Sequence, residues 1–276
     1  MNGDEPVPGI PGAFIRRVGE LPATLPEGEA AGFAAEARPG QLLFVVEGTG
    51  RFRATGGALI EFVADPGADE GKLRLFLLGT ARGALIHQRG ELPLHAATLV
   101  PPGRNAAIAI CGPSGAGKST LAAELSRRGW VLVADDTTRI TWNGGEAVAW
   151  PSRDRIKLWR DAFESSGIDV SRLERVARDL DKYYVRVPAR DTPVKLGAIA
   201  ELAADDSGSI ASAADRMALV TRNTYRSTHI RPLGMQRDHV RIVAKVASTC
   251  AMFRLPGGRT ATPAELADMV EAQMGR

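Results

Sequence analysis

Ala106-Ala107-Ile108-Ala109-Ile110-Cys111 runs without a break into Gly112-Pro113-Ser114-Gly115-Ala116-Gly117-Lys118-Ser119. The first six residues read as an apolar strand. The next eight fit the pattern G-x-x-x-x-G-K-[ST] without a mismatch. Leu121, Ala122 and Leu125 then fall on one helical face, and Gly129 ends that helix. Strand, glycine-rich loop and helix are the setting in which this pattern holds phosphate. Glycines let backbone N–H groups point inward at phosphate oxygens, and the helix N-terminus adds partial positive charge. The pattern assigns Lys118 to the β- and γ-phosphates and the Ser119 hydroxyl to Mg2+; Thr120, the next residue, is a further candidate for cofactor binding.

Working outward, Leu92–Val100 and Asn105–Cys111 are apolar runs joined by Pro101-Pro102-Gly103-Arg104, a hairpin signal. Pairing about Gly103 sets position 95 opposite about position 111, so His95 flanks the loop entrance. Downstream, Trp130–Ala134 reads as a buried strand that delivers Asp135 and Asp136. If it runs parallel to the strand before the loop, its carboxyl end faces the same edge. Adjacent carboxylates there have two jobs open to them: one accepts the proton of an attacking hydroxyl, the other holds Mg2+ or its waters. A histidine beside such a base can tune it or share its proton. His87, His229 and His239 carry no comparable argument and are expected to be structural or exposed.

Elsewhere, Leu42–Val46, Arg51–Ala54 and Ala58–Ala64 read as strands joined by glycine turns. A long helix is expected over Asp69–Gln88, in which Gly79 and Gly83 weaken the helix or admit a close neighbour. Thr137–Thr141 and Ala147–Trp150 flank Asn143-Gly144-Gly145, a second hairpin. Helices are expected near Ala30–Ala37, Leu158–Glu164, Arg172–Leu180, Ala211–Asn223 and Arg237–Ser248. Strands are expected near Tyr183–Val187, Lys195–Glu201 and Ala251–Leu255. Thr262, Pro263 and Glu265 make the capping box of a last helix. The mixture predicts an α/β fold, a mixed sheet with β-hairpins and flanking helices. Residues 1–40 read as a partly ordered lead-in, 41–68 as a small β-rich module and 69–276 as the phosphate-loop domain.

Composition narrows the class. The net charge is +3 and 44% of residues are hydrophobic, ordinary for a globule that builds its core without staples. Cys111 and Cys250 lie far apart and match no metal spacing. There is no basic tract to demand nucleic acid, and no apolar run approaches a membrane span. Neither partner is expected, and no targeting segment is recognised; a cytoplasmic location follows as an expectation. The guanine-reading Asn-Lys-x-Asp of GTPases and the Leu-Ser-Gly-Gly of ABC-type ATPases are both absent.

Leu94-His95-Ala96, the loop Gly112 to Ser119, and Val133-Ala134-Asp135-Asp136 together resemble the kinase domain of HPr kinase/phosphorylase. The resemblance is nearest to the smaller HPr-kinase-like enzymes encoded near lasso-peptide genes, which phosphorylate a serine of a ribosomal precursor peptide. Softer patterns join it: Pro151-Ser152-Arg153 to Lys157-Leu158-Trp159, Asp179-Leu180-Asp181-Lys182, and Thr224-Tyr225-Arg226 to Arg231-Pro232-Leu233. It covers roughly residues 42–276 and implies a P-loop kinase core of the HPr kinase/PEP carboxykinase type, using ATP and Mg2+. By resemblance, Asp135 is the base, His95 stands beside it, Lys118 holds phosphates, and Ser119 and Asp136 serve the metal. Thr120 stands where that enzyme usually has Glu, and its Arg-Gly-Leu-Gly stretch is missing, which implies a one-way kinase.

Phosphoryl transfer also needs cations on the equatorial oxygens. Arg153, Arg226 and Arg231 are candidates, with Arg155 and Lys157 behind them. The expected function is transfer of the γ-phosphate to a serine of a peptide or protein. The rivals are a small-metabolite kinase on the same scaffold and a nucleotide-binding regulator without transfer. A homo-oligomer is left open.

Overall fold

The computed structural model describes residues 4–32, 34–163, 169–203, 208–257 and 260–274. In chain order the first elements are β1 (Glu5–Pro6), β2 (Phe14–Arg17), β3 (Glu29–Ala30), β4 (Ala35–Arg38), β5 (Gln41–Val46), β6 (Gly50–Thr55), β7 (Leu59–Ala64), α1 (Glu70–Phe76) and α2 (Arg82–Gln88). Next come β8 (Leu92–Leu94), β9 (Ala96–Val100), β10 (Ala106–Cys111), α3 (Lys118–Arg127), β11 (Val131–Ala134), β12 (Thr138–Asn143), β13 (Glu146–Trp150) and β14 (Arg155–Trp159). The remainder is β15 (Arg175–Ala177), β16 (Leu180–Arg186), β17 (Val194–Ala203), β18 (Gly208–Ser209), α4 (Ala213–Arg222), α5 (Gln236–Thr249), β19 (Ala251–Pro256) and α6 (Pro263–Met274). The fold is mixed α/β, with mixed sheets and flanking helices. No described helix is long and apolar enough to cross a membrane.

The chain clusters into two units. One takes in the residues up to Pro93, with Arg175–Asp181 and Tyr225–Ile242. Its sheet runs β1-β2-β7-β6-β5-β4-β3. The hairpins expected at Gly48–Gly50 and Thr55–Gly57 are present, with Val46 paired to Gly50 and Thr55 to Leu59. Phe44 stacks on Phe52 at 4.8 Å between ring centres, over a core with Leu73, Leu77, Leu85 and Ile86. The described part of the expected helix at Ala30–Ala37 instead holds the end of β3 and most of β4; Phe33 lies outside the described residues. Ala35 and Ala37 are buried while Glu36 and Arg38 are half-buried, so strand alternation and pairing override the helix preference of alanine and glutamate. The expected Asp69–Gln88 helix forms with a wide turn at Leu77–Ala81 between α1 and α2. The Asp69 carboxylate caps its start by accepting from the Lys72 amide at 2.8 Å. Gly83 admits a close neighbour, as expected: a Cβ there would lie 2.9 Å from the Tyr225 ring.

The other unit comprises 94–174, 182–224 and the chain from Val243 onward. Its sheet carries the order β11-β9-β10-β17-β13-β12, with β19 added along β17. β9 pairs antiparallel with β10 on one side and β11 on the other, so β10 and β11 point the same way. β17 lies parallel to β10 and sets Glu201 opposite Cys111. α3 covers this sheet with Leu121 and Leu125, fully buried among Leu99, Ile110, Trp130 and Leu132. Each leucine so buried contributes about 1.5–3 kcal/mol. The hairpin at Asn143–Gly145 and the Thr262–Glu265 capping box both form, the box by the Thr262 amide donating to Glu265 at 2.8 Å.

Two further helices are corrected. The described part of Leu158–Glu164 is the end of β14 and a 3-10 turn at Arg160–Phe163; Glu164 lies outside the described residues. Ile156 and Leu158 are buried with half-buried Lys157 between them, an alternation that belongs to a strand paired with β16. Arg172–Leu180 holds the end of a 3-10 turn, then β15 and the start of β16.

Candidate active site

Topology brings the candidate residues to one edge of the second unit's sheet. β10 and β11 end there, releasing the glycine loop and Asp135-Asp136. β9 begins there, between them, so His95 stands one step beyond the Ala96–Cys111 pair. The hairpin expectation, position 95 opposite about position 111, is met to within one residue. In the loop, Gly112 has φ +142, and a Cβ on it would meet the Leu202 carbonyl oxygen at 2.8 Å. Gly117 opens α3 from a left-handed conformation, φ +94. Both positions need glycine.

Lys118 is buried, and its ammonium donates to the carbonyls of Gly112 at 2.8 Å and Pro113 at 3.0 Å. Burial lowers its pKa. The Ser119 hydroxyl donates to Asp135 at 3.0 Å, and the other Asp135 oxygen accepts from the Lys157 amide at 2.9 Å. Burial raises the Asp135 carboxyl, and the like charge of Asp136 adds to this, against the pull of Lys157 and Ser119. Asp136 takes the opposite course. Burial would raise it, but the Lys157 ammonium at 2.5 Å outweighs that and holds it well below the ordinary carboxylate range. The Asp136 backbone is left-handed, φ +73, which sends two adjacent side chains to different partners.

His95 completes the edge. A carbonyl oxygen only accepts, so the 2.8 Å contact between His95 Nδ1 and the Asp136 carbonyl fixes the proton on Nδ1. Burial, and then the Lys118 charge, push the His95 pKa down, and the ring is neutral at pH 7.

Beneath the loop lies a network that the sequence did not single out. The Gly112 amide donates to the side-chain oxygen of Asn223 at 3.1 Å. Asn223 follows the last turn of α4, and its side-chain nitrogen donates to Glu201 at 2.8 Å. Glu201 is buried and also accepts two bonds from Arg222. Burial would raise its pKa, but these bonds hold it low. Lys157 and Lys182 were likewise underrated. β14 and β16 pair so that Lys157 lies opposite Tyr184 and Lys182 opposite Trp159.

Gly112, Pro113, Ser114, Gly115, Ala116, Gly117, Lys118, Ser119, His95, Asp135 and Asp136 all belong to this unit. Thr120 faces a cavity of about 550 Å3 along α3, with Ala123, Leu158, Phe163 and Val187 in its wall. Arg153 is half-buried ahead of β14. Arg155 lies over the Tyr184 ring at 4.7 Å and pairs with Glu174. Arg226 and Arg231 belong to the first unit.

The donor set fits Mg2+. No group of three His, Cys, Asp or Glu among the described residues could hold a metal. A hydroxyl and a carboxylate 3.0 Å apart are hard oxygen donors, and Mg2+ characteristically takes one or two protein oxygens and completes its shell with phosphate and water. For Asp136 to join Ser119 there, it would have to leave Lys157.

Fold and site thus define a mixed α/β protein with a glycine loop, a following helix and a charged cluster at one sheet edge. Among solved structures, the chain is similar to the HPr(Ser) kinase/phosphatase from Coxiella burnetii. The match covers 66% of this chain and 95% of that one, with 14% identity and a TM-score of 0.39. No family model matches the chain, and no curated protein does.

Proposed function

We propose that this protein is an ATP- and Mg2+-dependent kinase that transfers the γ-phosphoryl group to a serine hydroxyl of a peptide or protein. The observation that carries the reading is Asp135, a carboxylate raised by burial and 3.0 Å from the loop hydroxyl. A raised carboxylate accepts a hydroxyl proton more readily near neutral pH. The acceptor oxygen bonds to the γ-phosphorus as the bond to the β–γ bridging oxygen breaks. The electron pair leaves on ADP, and the acceptor proton passes to Asp135. Lys118 exchanges its loop carbonyls for phosphate oxygens. Asp136 stays with Lys157, and its carbonyl orients the His95 ring. Mg2+, held through Ser119, supplies charge neutralisation on the phosphates.

The acceptor we favour is the C-terminal serine of a ribosomal precursor peptide, by the resemblance drawn above. A serine must reach Asp135 in line with the γ-phosphate, which a flexible peptide end allows and a folded element seldom does. We place the reaction in the cytoplasm and in one direction only. The test is to incubate the protein with Mg-ATP and serine-ending peptides, with free or amidated C-termini, and follow the mass change. Phosphorylation of the free form ahead of the amidated form is expected. ATP binding without transfer to any peptide overturns the serine-kinase reading.

A further inference from the structure

The Lys157 ammonium pairs with Asp136, and the charges of Lys118 and Lys182 also interact with Asp135 and Asp136. Two of these amines are occupied. Lys118 donates to the loop carbonyls and Lys157 to Asp136. Lys182 differs. Among the described residues it makes no hydrogen bond and no ion pair. Its ammonium lies over the Trp159 ring, 4.6 Å from the ring centre, held there by the direct Trp159–Lys182 pairing of β14 and β16. A cation on an indole face keeps its charge without using up its N–H donors. Burial lowers its pKa and the Lys157 charge adds to this, while the charges of Asp136 and Asp135 oppose it. Half-buried ammonium groups without an acceptor are costly, so this one is arranged for an anion that arrives.

We propose that Lys182 donates to the γ-phosphoryl group during transfer, as the second cation on its equatorial oxygens beside Lys118. The inference rests on the kinase reading above. Lys118 belongs to the loop, which cradles the phosphates from one side. Lys182 comes from β16, a separate strand. Two cations from separate elements would spread the charge that develops on the transferring group. Lys182 gives up no proton; the bonds formed and broken are those described above. Trp159 serves as the platform that keeps the amine from swinging into solvent.

The test uses Lys182→Met, which keeps the stem on Trp159, and Lys182→Arg, which keeps the charge. Binding of Mg-ATP and Mg-ADP is measured by calorimetry, separately from any transfer assay. Wild-type protein should prefer ATP to ADP, and Lys182→Met should lose that preference by about tenfold to a hundredfold while binding ADP as before. Peptide phosphorylation should fall about 10²–10³-fold in kcat, and Lys182→Arg should recover part of both losses. An unchanged ATP preference in folded Lys182→Met overturns the proposal, as does wild-type protein that binds ATP no better than ADP. If the preference behaves as expected while no serine peptide is phosphorylated, the serine-kinase reading fails and the assignment of Lys182 stands.

Discussion

In one unit, Lys118, Asp135, Asp136, Lys157 and Lys182 share a crowded edge in which opposite charges work against the cost of burial. In the other, His87, His229 and His239 stay neutral. The His87 and His229 rings lie 6.4 Å apart, and those of His87 and His239 6.5 Å apart. His87 meets the Tyr225 carbonyl at 2.9 Å, while His229 Nδ1 and both His239 nitrogens have no partner among the described residues. Burial pushes His87 down to about 4 and His229 down to about 3. Both clusters take ionisable groups out of water, but only one provides countercharge. Opposite charges at a sheet edge make a device for a charged visitor. Neutral imidazoles packed together make a core that tolerates no proton.

The contrast breaks most visibly at Lys118. Lys118→Ala should lower ATP turnover by about 10³-fold or more and leave thermal unfolding nearly unchanged, because its ammonium serves the loop and not the core. Normal turnover in that variant would remove the phosphate-loop reading. Asp135→Asn should follow, with phosphotransfer down about 10²–10⁴-fold and nucleotide binding retained. If Asp136→Asn is the inactive variant and Asp135→Asn is nearly normal, the two carboxylates exchange parts.

Acid should sort the two units. A histidine held at about 4 when folded and near 6.5 when unfolded binds its proton more readily in the unfolded chain. Its contribution is complete above pH 6.5 and is lost as pH falls toward 4, on the order of 3 kcal/mol for His87. Unfolding followed by hydrogen exchange should therefore show the first unit weakening across that window. A first unit as stable at pH 4.5 as at pH 7.5 would contradict it. The smallest effect is expected from Asn223→Ala. It strips the Gly112 amide and Glu201 of a buried partner, about 1–3 kcal/mol, read as weaker nucleotide binding and a modestly lower Tm.

What could be read from the sequence was whatever the chain keeps contiguous. The glycine loop is eight successive residues, and the hairpins announce themselves by glycine between apolar runs. His95 was legible because a hairpin register is arithmetic. Glu201 and Asn223 were not, since they come from a distant strand and helix end and meet the loop only in the fold; Lys157 and Lys182 fall in the softer patterns, but their place beside the carboxylates depends on the pairing of β14 with β16. The split between Asp135 and Asp136 was hidden for a further reason. It depends on the left-handed backbone at Asp136, which no composition rule places on an aspartate. The misread helices share one cause: alanine and charged residues favour helix locally, while pairing with β5 or β16 decided the outcome.

The Asn223 bond to Gly112 also bears on how this chain could tolerate change. Inserting one residue into α4 ahead of Asn223 would turn everything after it by about 100° around the helix axis. Arg222 and Asn223 would swing off Glu201 together, and the Gly112 amide would lose its acceptor. The phase of α4 is thus part of the specification of a loop that lies about a hundred residues earlier, and length variation in this lineage should fall outside that helix.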